Sequence, residues 1–301
     1  MTYDSWLDHN PRRIYSDEAL ATRVQTESAQ VVICEVDRVG GALFELPVLA
    51  VGVTRGLPEN VDIAAATRAG VPVINTPARN ADGVAELTIG LILAAGRKLI
   101  EAHEDAARGE IIRGGYSPSQ RFRGWEIQGQ TLGLIGFGAV GRAVAWRARG
   151  LGMRILAHDP YVIEAAASLD QVLSQSDIIS VHSALIDATS GLIGQREFSL
   201  MKPGAIYINT ARSQIHDSAA LVGALEGNQL SVAALDHTPS GWHAAVAGLC
   251  DTGRLIITPH IGGATFNTEE RQSAMMATSI AQLLAGDPVN NVVNPEVLHE
   301  S

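Results

Sequence analysis

Nine short apolar runs, most of them rich in β-branched residues, punctuate the chain: "AQVVICEV", "VLAVGV", "GVPVIN", "TLGLIGFG", "MRILAHD", "DIISVH", "GAIYIN", "LSVAALD" and "RLIIT". They are continuous rather than alternating, as strands are when side chains on both faces leave water. Alanine-rich stretches with helical character separate them. Strand and helix in this alternation predict a mostly parallel sheet covered on both sides, hence an α/β protein. A length of 301 residues suffices for two domains with a substantial core. The stretch "ADGVAELTIGLILAAGRKLIEAHEDAARGE", residues 81–110, reads as one unusually long helix. Its apolar first half turns charged at Arg97, which predicts a start in a core and an end on the surface or against a second subunit.

The richest chemical signal is "TLGLIGFGAVGRAVAWRARGLGMRILAHDP". Gly136, Gly138 and Gly141 form G-x-G-x-x-G directly after a strand and at the mouth of an alanine-rich helix. In that context the first glycine permits a tight turn and the second lets the amides around Ala139 and Val140 approach a pyrophosphate. The third lets helix and strand pack closely. Asp159 closes the next strand 18 residues after Gly141, where a carboxylate accepts hydrogen bonds from an adenosine ribose. That carboxylate repels a 2′-phosphate, and Pro160 and Tyr161 bring no arginine to offset it. NAD is favoured over NADP.

Composition excludes several classes of partner. The chain is 46% hydrophobic and 18% charged, as a globular domain is, and its formal net charge of -10 opposes nucleic acid and anionic membrane surfaces. An anionic small molecule requires local arginines. No apolar stretch reaches the length of about 20 residues that spans a bilayer. The opening "MTYDSWLDHNPRR" has no signal-peptide core, so a cytoplasmic location is expected. Cys34 and Cys250 stand apart without CxxC or histidine clusters, which predicts two reduced thiols and no metal site.

Together with the glycine motif, "NVDIAAATRAGVPVINTPARNADGVAELT", "SVHSALIDATSGLI", "MKPGAIYINTARSQIHDSAAL" and "LIITPHIGGAT" make the chain similar to the D-2-hydroxyacid dehydrogenase family that includes 3-phosphoglycerate dehydrogenase. The resemblance runs from about residue 16 to the C-terminus. It implies two Rossmann-like domains with parallel sheets: an NAD-binding domain over 77–264, inserted into a smaller flavodoxin-like substrate domain made of 1–76 and 265–301. Residues 1–30 are short of the family's usual first strand and helix, so the substrate half is expected to be trimmed. The resemblance also implies a homodimer formed through the cofactor domain.

Carried over by position, Arg212 matches the family arginine that holds the substrate carboxylate and polarises its carbonyl, a role suited to a fork that stays protonated. His260 matches the family acid/base, and a histidine titrating near neutrality suits that transfer. Asp236 matches an aspartate near the nicotinamide side, while His182, Thr189, Thr210, Ala211 and Gly262 fall where cofactor contacts occur.

Two departures stand out. Where the family carries a phrase like "LDVFxxEP", whose glutamate hydrogen-bonds the histidine, this chain reads "LDHTPSGWH". Without that glutamate His260 is expected to protonate at lower pH, unless Asp236, His237, His243 or a more distant group substitutes. The loop "VGVTRGLPENVD" carries Arg55 beside Gly56 where the family presents small residues to the substrate carboxylate, a placement that resembles phosphite dehydrogenases of the same family. Arg55 either anchors a second anionic group or points to solvent. Arg121 and Arg123 have no direction fixed by sequence. Three functions remain open: a 2-hydroxy/2-oxo acid dehydrogenase, a phosphonate-metabolism dehydrogenase on the same scaffold, and an NAD-sensing protein without turnover.

Overall fold

The computed structural model describes residues 13–298. The chain divides into two compact units: residues up to Arg79 with those from Phe266 onward, and Asn80–Thr265. Each of the nine apolar runs supplies one strand, and every strand pair is parallel.

The larger unit holds six strands: β4 (Thr131–Ile135), β5 (Arg154–His158), β6 (Ile178–Val181), β7 (Ala205–Asn209), β8 (Leu230–Leu235) and β9 (Leu255–Ile257). Their order is β5-β4-β6-β7-β8-β9, so the winding reverses between β4 and β6. Strand side chains alternate between two buried clusters. Ile179, Tyr207 and Leu235 enter one, while Ile178, Ile206, Ile208 and Ala234 enter the other. Burial on both faces is what the unbroken apolar runs require.

The stretch 81–110 departs from the expected single helix. Lys98 takes a left-handed conformation (φ 52°), ending one helix at Arg97 and starting a second, Leu99–Ala107. The first, Ala81–Arg97, buries Val84, Ala85, Leu91 and Ile92. The second buries Asp105, which pairs with Arg108 and Arg121, so Arg121 is committed to an ion pair.

The smaller unit is a three-stranded sheet in chain order: β1 (Val31–Cys34), β2 (Ala50–Val53) and β3 (Val73–Ile74). Among the described residues it is preceded by one helix, Asp17–Glu27, started by the Ser16 side chain. Its core joins Leu20, Val24, Leu43, Val51, Val53 and Val73. The chain returns through the Phe266–Ala285 helix, whose Met276 sulfur lies where a side chain on Gly52 would sit. It then knits onto β3: Val293 N donates to Val73 O (2.7 Å), and the buried Asn294 accepts from Val73 N (2.8 Å). Cys34 is a buried free thiol whose pKa burial raises to about 12, and Cys250 is an exposed one. No helix among the described residues is long and apolar enough to cross a membrane.

Candidate active site

In a parallel sheet the carboxyl ends of the strands carry the ligand-facing loops, above all where the winding reverses. Each strand of the larger sheet ends on residues that the sequence singles out: Gly136 after β4, Asp159 after β5, His182 after β6, Thr210 to Arg212 after β7, Asp236 after β8 and His260 after β9.

At the reversal, Gly136 has φ 94°, and a Cβ there would fall 2.5 Å from Ser183 N and 2.6 Å from the His182 carbonyl carbon. A Cβ on Gly141 would strike the Gly136 carbonyl oxygen, whereas one on Gly138 would meet open space. Gly138 is also the N-cap of the Ala139–Gly150 helix, and no side chain caps that end. The first-turn amides, including those of Ala139 and Val140, are thereby presented to an anion beside an open backbone. Asp159 braces the turn, accepting from Phe137 N (2.8 Å) and Tyr161 N (3.0 Å). Two buried polar atoms beside it, His182 Nδ1 and Ser183 Oγ, have no protein partner. Burial lowers the His182 pKa to about 3, so its ring is neutral, with Nε2 on Ser180 Oγ at 2.9 Å. A glycine cradle, an uncapped helix start, an acidic strand end and unsatisfied polar atoms together fit a dinucleotide.

Thr189 Oγ1 is occupied within its own loop, bonding Ile186 N and Ala184 O. Thr210 is buried and shares a 3.0 Å hydrogen bond with Thr88.

The Arg212 loop is shaped by Asn209, a buried residue not anticipated from the sequence. Asn209 accepts from Ala211 N (2.9 Å) and donates to Arg212 O (3.0 Å). It also contacts His216 Nδ1 at 2.9 Å, and burial lowers the His216 pKa to about 4. Arg212 Nη1 donates to Ala211 O (2.9 Å) and meets His237 Nε2 at 3.4 Å.

Asp236 is buried at the end of β8 and accepts from Thr258 Oγ1 (2.5 Å), Ile261 N (2.9 Å) and Gly262 N (2.8 Å). It therefore grips the backbone that follows His260. His260 has φ 58°, a conformation that costs an L-residue about 1 kcal/mol or more, and the aspartate clamp maintains it. The His237 ring lies against the His260 ring, with centroids 3.7 Å apart and planes inclined at 47°. His243 instead lies in the exposed start of the His243–Asp251 helix, with Nε2 3.5 Å from Thr238 Oγ1. Of the residues that could substitute for the missing glutamate, His237 is the one that meets the His260 ring, and its place directly after Asp236, at a strand's carboxyl end, is the signal that picks it out.

In the smaller unit Arg55 and Gly56 follow β2 and are tied to the loop after β3: Arg55 O accepts from Thr76 N (2.9 Å) and Gly56 O from Asn75 Nδ2 (2.7 Å). Arg79 pairs with Glu35 (3.4 Å) and Gln272. Burial, opposed by Glu35 and reinforced by the Arg55 charge, holds the Arg79 pKa below its usual value. Among the described residues no group of three or more His, Cys, Asp or Glu side chains is arranged to hold a metal ion.

Comparison with known proteins agrees with this geometry. The family described as "D-isomer specific 2-hydroxyacid dehydrogenase, NAD binding domain" matches residues 89–262. A glyoxylate reductase from Thermococcus litoralis is 35% identical over 253 residues, covering 81% of this chain and 76% of the relative. A D-3-phosphoglycerate dehydrogenase from Archaeoglobus fulgidus is 35% identical over 291 residues, covering 94% of this chain; the chain spans 52% of that longer relative. The apo-structure of D-lactate dehydrogenase from Escherichia coli superposes with a TM-score of 0.76 at 25% identity, covering 91% of this chain and 89% of that one. The chain belongs to the D-isomer specific 2-hydroxyacid dehydrogenases, a family of NAD-dependent enzymes acting on CH–OH donors.

Proposed function

We propose that the protein moves a hydride between NAD and a small anionic 2-hydroxy/2-oxo acid, with Arg212 as electrophilic anchor and His260 as acid/base. When bound, NAD supplies the hydride acceptor, or as NADH the donor, at its nicotinamide ring. Residues 136–141 would hold its pyrophosphate and Asp159 its adenosine ribose, with His182, Thr189, Thr210, Ala211, Asp236 and Gly262 along the remainder. On this reading Asn80–Thr265 is the cofactor half and the other unit the substrate half.

Arg212 offers a permanently charged fork that bonds carboxylate and keto oxygen together. As the hydroxyl gives its proton to the His260 imidazole, the hydrogen on the same carbon departs with its electron pair and C–OH becomes C=O. The reverse reaction returns both. One observation carries this reading: loops from the ends of β7 and β9, far apart in the chain, bring Arg212 and His260 into contact with one residue, His237. The test is NADH consumption with a panel of 2-oxo acids. Arg212→Ala and His260→Gln should each lower kcat/KM by roughly a thousandfold with NADH affinity retained, and undiminished turnover in either variant overturns the assignment.

A second anionic group on the substrate, carboxylate or phosphono, is favoured by the influence of the Arg55 charge on Arg79. Arg55→Ala should then raise KM for a dianionic substrate and leave that for a monoanionic one unchanged. A homodimer through the larger unit is supported by its exposed Ile100, Ile112, Trp125, Trp146 and Leu151.

A further inference from the structure

His237 is the residue through which the anchor and the acid/base communicate, and nothing in the proposed reaction has yet used it. Arginine nitrogen donates and never accepts, so the atom facing Arg212 Nη1 at 3.4 Å must be a lone pair on His237 Nε2. The proton of a neutral His237 ring then resides on Nδ1. The other contact is ring to ring with His260, at 3.7 Å between centroids with the planes inclined at 47°. His237 itself is rooted in the chain directly after Asp236, whose carboxylate fixes Ile261 N and Gly262 N. One dipeptide, Asp236-His237, thus holds the His260 loop by its backbone and the His260 ring by its side chain.

We infer that His237 is a positioning residue: a neutral imidazole that accepts a hydrogen bond from Arg212 and packs on His260, keeping the two catalytic side chains in a fixed relation. The charged and titratable groups around it favour this state. Burial lowers its pKa to about 4, helped by the neighbouring His260 and Arg212 and opposed by Asp236. At neutral pH it therefore stays an acceptor. A protonated His237 would turn an N–H toward the guanidinium and break the chain. In the family phrase quoted above, an orienting glutamate lies a few residues beyond this position, and its absence leaves room for a different device.

This inference rests on the roles proposed for Arg212 and His260, and the experiment separates the two. His237→Leu should lower kcat/KM for the preferred 2-oxo acid by about ten- to a hundredfold, the worth of a hydrogen bond to a charged group. Both a raised KM and a reduced kcat are expected, because anchor and acid/base lose their register together. His237→Gln, whose amide oxygen can accept from Arg212, should recover KM more than kcat, since no ring faces His260. Nitrogen-15 NMR of the wild-type imidazoles at neutral pH should show His237 as the neutral Nδ1–H tautomer, and Arg212→Ala should release it to a mixture. Wild-type kinetics in His237→Leu, or a His237 carrying its proton on Nε2, overturns the inference. If Arg212→Ala and His260→Gln also keep full turnover, the functional reading fails with it. If only those two variants are inactive, this inference alone fails.

Discussion

The two units put the same kind of strand to different use. In the larger, the central strands β4, β6 and β7 bury both faces and each strand's carboxyl end carries a polar or glycine device. In the smaller, the strands have at most four residues; β2 and β3 are buried throughout, and the edge strand β1 leaves Ile33 53% exposed. A backbone locked on both sides can hold unfavourable local states: Gly136 at φ 94°, His260 at φ 58°, and neutral histidines inside the protein. The smaller unit also holds left-handed residues, Ser28 at φ 51° and Ala78 at φ 59°, and lowers the Arg79 pKa by burial, but its described residues include no histidine. Depressed histidine basicity thus collects in the larger unit, where burial sustains it.

That contrast can be broken at its strongest point. Gly136→Val forces a branched side chain into the left-handed region and against the backbone of His182 and Ser183. It should cost about 4 kcal/mol or more and abolish NADH binding, measured by urea unfolding and fluorescence titration. A variant that binds NADH normally would show that the turn is not under this constraint.

The next effect is a pH dependence. His216 is buried, and its pKa falls from 6.5 to about 4 on folding, chiefly by burial, with Asp217 opposing. Below pH 6.5 the unfolded chain takes up a proton that the folded one refuses. Stability is therefore complete above that pH and is lost as pH falls toward 4, by on the order of 3 kcal/mol. His216→Gln, which does not titrate, should flatten this limb in unfolding curves taken from pH 7 to 4. An unchanged slope would assign the acid sensitivity to other groups.

The smallest effect sharpens the comparison from the other side. Ile33→Ser on the exposed face of β1 should change stability by less than about 0.5 kcal/mol, although it sits in the middle of a strand. A loss of 2 kcal/mol or more by thermal unfolding would mean that this face is covered in solution.

The strands were legible because burial on both faces writes an unbroken apolar run, and the glycine turn because its backbone admits few other residues. Lys98 shows the limit. Nothing in "GRKLIE" marks a break at Lys98, since lysine is a good helix former, and the backbone contact made beside it, Trp125 N to Gly96 O, comes from a distant stretch. Asn209, and the choice of His237 over the other candidate substitutes, were not legible for a related reason. Their importance lies in meeting side chains brought by other loops, and a ring contact between positions 237 and 260 leaves no periodicity to read.

The return of the chain to β3 sets an order of assembly. Residues 80–265 form a contiguous stretch that can fold as soon as it leaves the ribosome, whereas the smaller sheet must wait for Val293 and Asn294 to be synthesised before its edge is complete. For most of translation the N-terminal strands are a half-built edge. Nascent-chain proteolysis should find residues 31–74 still cleavable when the glycine turn has become protected.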